Sequence, residues 1–478
     1  MSYKKFTKDM GLFGLTQLIA ALYGIITLPV ITKILGVKDY GVWTQLMVTI
    51  SLLAPVASLS LPYAMVRFLA GEKNKKEIQD GIWSVFVIIL GTASVIALFL
   101  FMFSGPISIF FDCPAIFIQF LAVIIIIDFL NGVFLNIFRT FQQITKYSFF
   151  AIFQKVGEAG MIIFMILSGY GLLGALLSIL IIRSITFLTT GILIIKDVGL
   201  ALPKFLRIKK YFFFALPNIF SDVAFLVVQS SDKYLIGLFL GTLSVGYYSP
   251  AYTLGSCIAI LATPLIFLLP ATLSSHYDNN QLDEVKNYLK HSLKYFMALA
   301  IPASFGISIL SKKLLSLFST QEIANNSYYL VPLIALSSVF YGAYVIMAQI
   351  IALKNKTYIV GIIWTSSAII NTCLNFIFIH MLGIFGAAIA TLLAYFIIFI
   401  FIWIYSFKEI KFEIDWKFIL KSFLASLLMS FGVLALNPAG MLKTLVTIAT
   451  GAIIYFIFMF LLRAFDKNEY VFLTSFFS

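Results

Sequence analysis

Apolar runs of membrane-crossing length recur along the whole chain, separated by short connections that carry most of its charge. One helical crossing of a bilayer takes about 20 predominantly apolar residues. Runs meeting that requirement are 11–35, 40–68, 81–103, 115–137, 147–167, 171–195, 211–240, 245–273, 289–310, 328–353, 358–381, 383–407, 418–436 and 442–462. The pattern predicts an all-α integral membrane protein with fourteen transmembrane helices. The run 211–240 differs from the others because Asn218, Asp222, Gln229, Asp232 and Lys233 interrupt it. At about 100° per residue these five fall within an arc of about 100°, one face of a helix. A charge at membrane depth costs about 2.5–3.5 kcal/mol even on insertion scales, so this face is expected to look at protein or water.

The phrase that follows, Leu240-Gly241-x-x-x-Val245-Gly246-x-Tyr248, has an earlier counterpart in Leu35-Gly36-x-x-x-Tyr40-Gly41-x-Trp43. Further pairs keep nearly the same offset. Lys76-Glu77-Ile78 answers Asp283-Glu284-Val285, and Thr145-Lys146-Tyr147 answers Lys356-Thr357-Tyr358. Gly171-x-x-Gly174-Ala175 answers Gly383-x-x-Gly386-Ala387. The expected organisation is a six-helix lobe over 1–195, a basic linker over 196–210 and a second six-helix lobe over 211–407. An accessory pair, helices 13 and 14, occupies 408–478. Because six is even, the two lobes share one orientation about a pseudo-two-fold axis along the membrane normal. Residues 279–296 place Leu282, Val285, Leu289, Leu293 and Phe296 on one face, as an interfacial helix flowing into helix 9 does.

Composition and charge refine this picture. Of 478 residues, 61% are hydrophobic and 11% charged, with a mean hydropathy of +1.03; soluble domains carry about 25% charged residues. The net charge of +13 belongs to topology rather than to a nucleic acid. With the N-terminus inside, 25 of the 33 Lys and Arg lie in cytoplasmic segments and five on the opposite side (Lys33, Lys38, Lys312, Lys313, Lys443). The other three, Lys155, Arg183 and Lys233, lie within helices. That bias puts both termini in the cytoplasm of a multi-pass plasma (inner) membrane protein. The first apolar segment is too long for a signal peptide and lacks a small-residue cleavage site, so it is expected to remain as a helix. The linker is the most basic stretch, read first as an inside anchor and second as a lipid-headgroup contact.

Chemistry on the outer face has little room, since its longest loop runs only over 311–327. A glycan-assembly enzyme would need a larger platform, and the sequence shows no outer Asp-x-Asp pair, Walker loop or Ser/His/Asp set. Cys113, Cys257 and Cys373 are far apart, as are His276, His291 and His380. Neither a disulfide framework nor a metal cluster is expected, and no cofactor. The intramembrane polar residues are therefore the site candidates. Asp128 and Asn131 share a face of helix 4, with Arg139 toward its inner end. Lys155 and Glu158 in helix 5 are three apart and able to pair, as a structural pair or as a gate. Arg183 lies in helix 6, and Ser367, Asn371 and Asn375 form a neutral stripe in helix 11 that suits helix–helix hydrogen bonding. Asp128, Arg183, Asp222 and Lys233 point to a pathway or proton relay. Four carboxylates (Asp128, Glu158, Asp222, Asp232) against three cations leave the midplane without a dominant sign. An anionic substrate would use Arg183 and Lys233, with Arg67, Arg139 and Lys33 nearer the mouths.

Thr32-Lys33-Ile34-Leu35-Gly36 through Tyr40-Gly41-x-Trp43, then Ser231-Asp232-Lys233 through Leu240-Gly241 and Val245-Gly246-Tyr247-Tyr248, resemble a known family. It is the polysaccharide-transport branch of the multidrug/oligosaccharidyl-lipid/polysaccharide exporter superfamily, the Wzx-type O-antigen flippases. The resemblance covers the whole chain. It implies movement of a polyprenyl-diphosphate-linked oligosaccharide from the cytoplasmic to the outer leaflet, by alternating access between the lobes. It also implies coupling to H+ or Na+, contacts with polysaccharide-assembly proteins, and Lys33, Lys155, Arg183 and Lys233 as contacts for diphosphate and acidic sugars. Two alternatives stand beside it: a cation-coupled drug or metabolite antiporter of the same superfamily, which the carboxylates favour, and a membrane enzyme of glycan assembly.

Overall fold

The computed structural model describes residues 3–354, 356–438 and 440–465, which form helices and connections with no strand among them. Both chain ends, 1–2 and 466–478, expected in the cytoplasm with Lys467, lie outside the described residues. Contacts group the chain into two compact units, Met1–Ser249 and Pro250–Ser478.

The first unit contains α1 (Tyr3–Val30), α2 (Gly36–Ser58), α3 (Leu61–Leu69), α4 (Lys75–Met102) and α5 (Ser104–Phe111). It continues with α6 (Ala115–Thr140), α7 (Ile144–Leu167), α8 (Gly171–Val198), α9 (Ile208–Leu240) and the start of α10 (Thr242–Ser256). In it α4 packs on α6, α7 on α8, α6 on α8 and α1 on α7, and α9 lies against α2 and α3. The repeat divides the chain by sequence and the contacts divide it by packing. The two partitions differ because α9, the first helix after the linker, makes its contacts with helices that precede the linker.

The second unit runs through α11 (Thr263–Asp278), α12 (Leu282–Ile309), α13 (Ser311–Phe318), α14 (Gln321–Ser327) and α15 (Val331–Leu353). Then come α16 (Thr357–Leu382), α17 (Ile384–Glu409), α18 (Trp416–Leu436) and α19 (Met441–Leu461). Here α17 packs on α15 and α16, and the terminal pair α18–α19 docks through α18 on α12. Tyr455 ties that pair down: its hydroxyl donates to the Ala298 carbonyl at 2.9 Å and lies 2.9 Å from Ser422 Oγ. The interfacial segment is continuous with the ninth expected crossing in α12, with Val285, Leu289, Leu293 and Phe296 buried and Leu282 exposed.

Thirteen helices among the described residues are long and apolar enough to cross a membrane, against fourteen expected. The difference lies at the start, where two expected helices run on as one 48-residue stretch, Gly11–Ser58. At 1.5 Å per residue it spans about 72 Å, more than twice a bilayer core of about 30 Å. A π-helical turn, Ile31–Leu35, ends at Gly36 with φ 89°, which interrupts the stretch where the sequence places a loop. Gly241, the counterpart of Gly36, has φ 82°, so each Leu-Gly uses the residue type that tolerates this backbone region. The second expected helix, 40–68, is itself broken: α2 ends at Ser58, and Leu59 and Ser60 both adopt left-handed backbone at φ 48° and 47°. Two adjacent residues with side chains in that region store about 1–2 kcal/mol each. Thr92 Oγ1 compensates in part by donating to the Ala57 carbonyl at 2.5 Å.

Candidate functional site

A cavity of about 1130 Å³ lies within the first unit, bordered by α2, α3, α6, α7 and α9. Four of the charged residues singled out in the sequence line it: Arg67, Asp128, Arg139 and Asp222. Asn131, Asn136, Gln154 and Asn218 add amides, and Tyr63, Phe129, Tyr147, Phe214 and Phe225 add aromatic surface. Its cations are Arg67 and Arg139, both exposed and neither in an ion pair among the described residues. Arg67 projects from α3, directly after the strained break, and the single long helix expected over 40–68 concealed that placement. Only the Leu61-Pro62 step hinted at a new helix start, since proline suits the first helical turn.

Asp222 in α9 reaches that break. Its Oδ2 accepts a hydrogen bond from Ser60 Oγ at 3.0 Å. Asp128 instead faces inward as well as toward the cavity, with its side chain 23% exposed and Oδ1 2.7 Å from Arg183 Nη1. That contact is an ion pair by distance without an aligned N–H, because Nη1 has no hydrogen bond of acceptable geometry. Behind it Glu158 is fully buried and well held. It accepts from Arg183 Nε at 2.7 Å and from Gln154 Nε2 at 3.1 Å, and Lys155 Nζ lies 3.5 Å away. Asn131 Nδ2 donates to Gln154 Oε1 at 2.9 Å, linking α6 to α7. Lys155 also sits 4.8 Å from the centre of the Tyr23 ring. The spacing argument pairs Lys155 with Glu158, but the shorter contact to Glu158 comes from Arg183, 25 residues further on.

The remaining candidates lie elsewhere. Asp232 and Lys233 are buried in α9 and do not line the cavity. Asp232 accepts from the Tyr248 hydroxyl at 2.6 Å, with Lys233 Nζ 3.5 Å away, and Lys233 Nζ donates to the Gln229 carbonyl at 3.0 Å. Tyr248 is the last residue of the repeated phrase and lies in α10, so this pair braces α10 against α9, the helix before it. Lys33 is exposed in the π-helical turn and is also not a cavity residue.

The two copies of the phrase meet each other. A side chain at Gly41 would drive into the Thr242 carbonyl, and one at Gly246 into the Val37 carbonyl. These are reciprocal contacts at the repeat offset, with Val37 answering Thr242 as Gly41 answers Gly246. Thr242 Oγ1 donates to the Phe111 carbonyl at 2.9 Å, and Lys38 pairs with Asp112 at 2.7 Å. Further along α2 and α9, Thr49 and Tyr234 share a short hydrogen bond.

The chain belongs to the polysaccharide biosynthesis protein family, which matches residues 6–276; the MatE family matches residues 217–377. It is a multi-pass membrane protein with the fold of the multidrug/oligosaccharidyl-lipid/polysaccharide exporter superfamily. The chain is similar to "Probable low-salt glycan biosynthesis flippase Agl15" of Haloferax volcanii. It is 24% identical over 53% of this chain and 54% of its own length. "Probable flippase AglR" of the same organism is 30% identical over 34% of each. The chain thus spans about half the length of the first relative and about a third of the second. Among solved structures, the lipid II flippase MurJ in an inward closed conformation superimposes with TM-score 0.78. That likeness covers 95% of this chain and 99% of MurJ at 19% identity. An inward-facing multidrug resistance MATE family transporter follows at 0.62, covering 83% and 94% at 14% identity. The Vibrio cholerae MATE transporter VcmN in its bent form gives 0.59, covering 85% and 96% at 13% identity.

Proposed function

We propose that this protein flips a polyprenyl-diphosphate-linked oligosaccharide from the cytoplasmic to the outer leaflet by alternating access. The observation that carries the reading is the make-up of the cavity, which combines two exposed arginines that form no ion pair among the described residues with a wall of amides and aromatic rings. Guanidinium groups suit phosphate oxygens in geometry and charge. Amides and aromatic faces suit sugar hydroxyls and sugar rings. Arg67 and Arg139 lie beside the basic connections that the charge distribution puts inside, so the diphosphate enters at that end with the glycan deeper. The Asp128–Arg183–Glu158–Lys155 group, with Arg183 and Glu158 buried at its centre, serves as the fixed back wall.

In cells lacking the gene and any redundant exporter, lipid-linked glycan should remain on the cytoplasmic leaflet; normal surface glycan there would overturn the reading. Charge-assisted hydrogen bonds contribute about 1.5–3 kcal/mol, so Arg67→Ala and Arg139→Ala should each lower transport roughly ten- to hundredfold at unchanged protein abundance. A second reading, a cation-coupled antiporter, draws on Asp128 and Asp222 facing the same cavity. Altered sensitivity to cationic drugs in the deletion strain, with glycan intact, would select it.

A further inference from the structure

We propose that Asp222 is a proton-binding site that loads when the cavity accepts a diphosphate. The linkage to diphosphate rests on the function proposed above; the proton site itself does not. Four carboxylates were expected inside transmembrane helices, and three of them have a cation within ion-pair distance. Asp128 and Glu158 have Arg183, and Asp232 has Lys233. Among the described residues Asp222 has no ion-pair partner, only the Ser60 hydroxyl. It lies midway along α9, within a crossing-length helix, and it lines the cavity. An ionised carboxylate in that position without a cation is costly, and such residues mark ion or proton pathways.

The charges facing Asp222 decide when the proton enters. From α3 come Tyr63 and Arg67, from α6 Asp128 and Arg139, and from α7 Tyr147. Neither α2 nor α5 contributes a charged group to the cavity. On the α4 side Glu77 and Asp80 sit by Tyr211, at the start of α9 about three turns from Asp222. Counting Arg183, Lys155 and Glu158 behind the wall, the empty site holds four cations against three carboxylates. A diphosphate diester is a dianion, so its arrival turns a small positive excess negative. A proton on Asp222 restores neutrality before the cavity closes over its load. Asp128 has Arg183 to offset its charge, whereas Asp222 has nothing comparable and takes the proton from water in the cavity: the carboxylate plus H+ gives the carboxylic acid. When the diphosphate leaves, the proton returns to water.

Ser60 gives this event a structural readout. While Asp222 is ionised it can only accept, so Ser60 Oγ–H must donate to it. Protonated Asp222 can donate instead, which frees the hydroxyl at the strained Leu59–Ser60 break. The segment released is the one that carries Arg67.

The test uses the full-length purified protein and, as probe, citronellyl-diphosphate-linked N-acetylglucosamine, a water-soluble diester whose phosphates do not titrate near neutrality. Calorimetry in buffers of different ionisation enthalpy counts protons taken up on binding. Wild type should take up about one proton per probe, and its affinity should fall about tenfold per pH unit through the range where Asp222 titrates. Asp222→Asn should bind with neither effect, and Asp222→Glu should recover both. Equal proton uptake in wild type and Asp222→Asn, or none in wild type, overturns the proposal. Infrared titration of the ligand-free protein gives an independent reading. A carboxylic acid band that grows with falling pH and is missing in Asp222→Asn supports the site, and an identical band in the variant overturns it. Should the probe fail to bind at any pH while the band behaves as expected, the diphosphate reading of the cavity fails and the proton site stands.

Discussion

Arg183 shows how a single side chain can be visible in a sequence while its role is not. A guanidinium inside an apolar run is conspicuous, and so are Asp128 and Glu158. Their joint arrangement is hidden because they lie on α6, α7 and α8 and meet only when those helices pack. Removing one member of a buried ion network leaves an uncompensated charge, at a cost of about 3–5 kcal/mol. Arg183→Ala should therefore lower stability by that order and reduce membrane abundance with it. Adding Glu158→Gln should restore part of the loss, a non-additivity that a double-mutant cycle measures. Asp222→Asn, with no ion pair to break, should leave stability nearly unchanged. Equal destabilisation by Asp222→Asn and Arg183→Ala would contradict the division between cavity carboxylate and structural network.

Among the elements, the repeated phrase and the linker do most to organise the first unit. The phrase was legible because its four glycines recur at a fixed offset. Its use was not legible: Gly36 and Gly241 supply the reversals before α2 and α10, while Gly41 and Gly246 let those helices touch backbone to backbone. Overpacking costs about 1–3 kcal/mol, so Gly41→Ala or Gly246→Ala should reduce transport by forcing that contact apart. The double variant should cost less than the sum, because the first methyl already separates the helices. Full additivity in a transport assay would argue against a single shared contact. The basic linker has a fixed path. Asp80 accepts the backbone N–H groups of Lys204, Phe205 and Leu206 at 2.5, 3.1 and 3.2 Å, and Trp83 Nε1 donates to the Gly199 carbonyl at 2.9 Å. Arg207 pairs with Glu72 at 3.0 Å and with Glu77. After the sixth helix of the second half the signs are exchanged, with Lys290 2.7 Å from Glu413 and Lys294 3.6 Å from Asp415. Backbone N–H groups of Asn74 and Lys73 and the side chains of Glu77 and Arg207 hold the Glu72 carboxyl down from the ordinary 4.5 to about 2. A depressed carboxyl contributes stability above its ordinary value and loses it as pH falls through the depressed one. Amide protection in residues 204–207 should therefore persist at neutral pH and fade between about pH 4.5 and 2; protection that held below pH 2 would show that the Asp80 cradle suffices alone.

At the scale of the molecule, charge sorting makes a prediction that packing cannot. Cysteines introduced at Lys204 and Lys312, in a background lacking Cys113, Cys257 and Cys373, should react with an impermeant reagent from opposite faces of the membrane. Reaction of both from one face would overturn the orientation assigned to the helices.

Hydropathy and its period determined that the chain is a bundle of membrane helices and, apart from the first two, roughly where those helices run, and they showed a glycine phrase that recurs along the chain. Those properties are local or repeat at a fixed interval, and the cost of polar groups in hydrocarbon writes them into a linear pattern. Only the tertiary structure decided which intramembrane charges are paired, that helix 2 breaks at Leu59–Ser60 to present Arg67, and that Asp222 faces a cavity with a hydroxyl for company. Ion pairing and cavity lining depend on side-chain positions across helices distant in sequence. Helical periodicity constrains the face a residue occupies but leaves its neighbour unspecified.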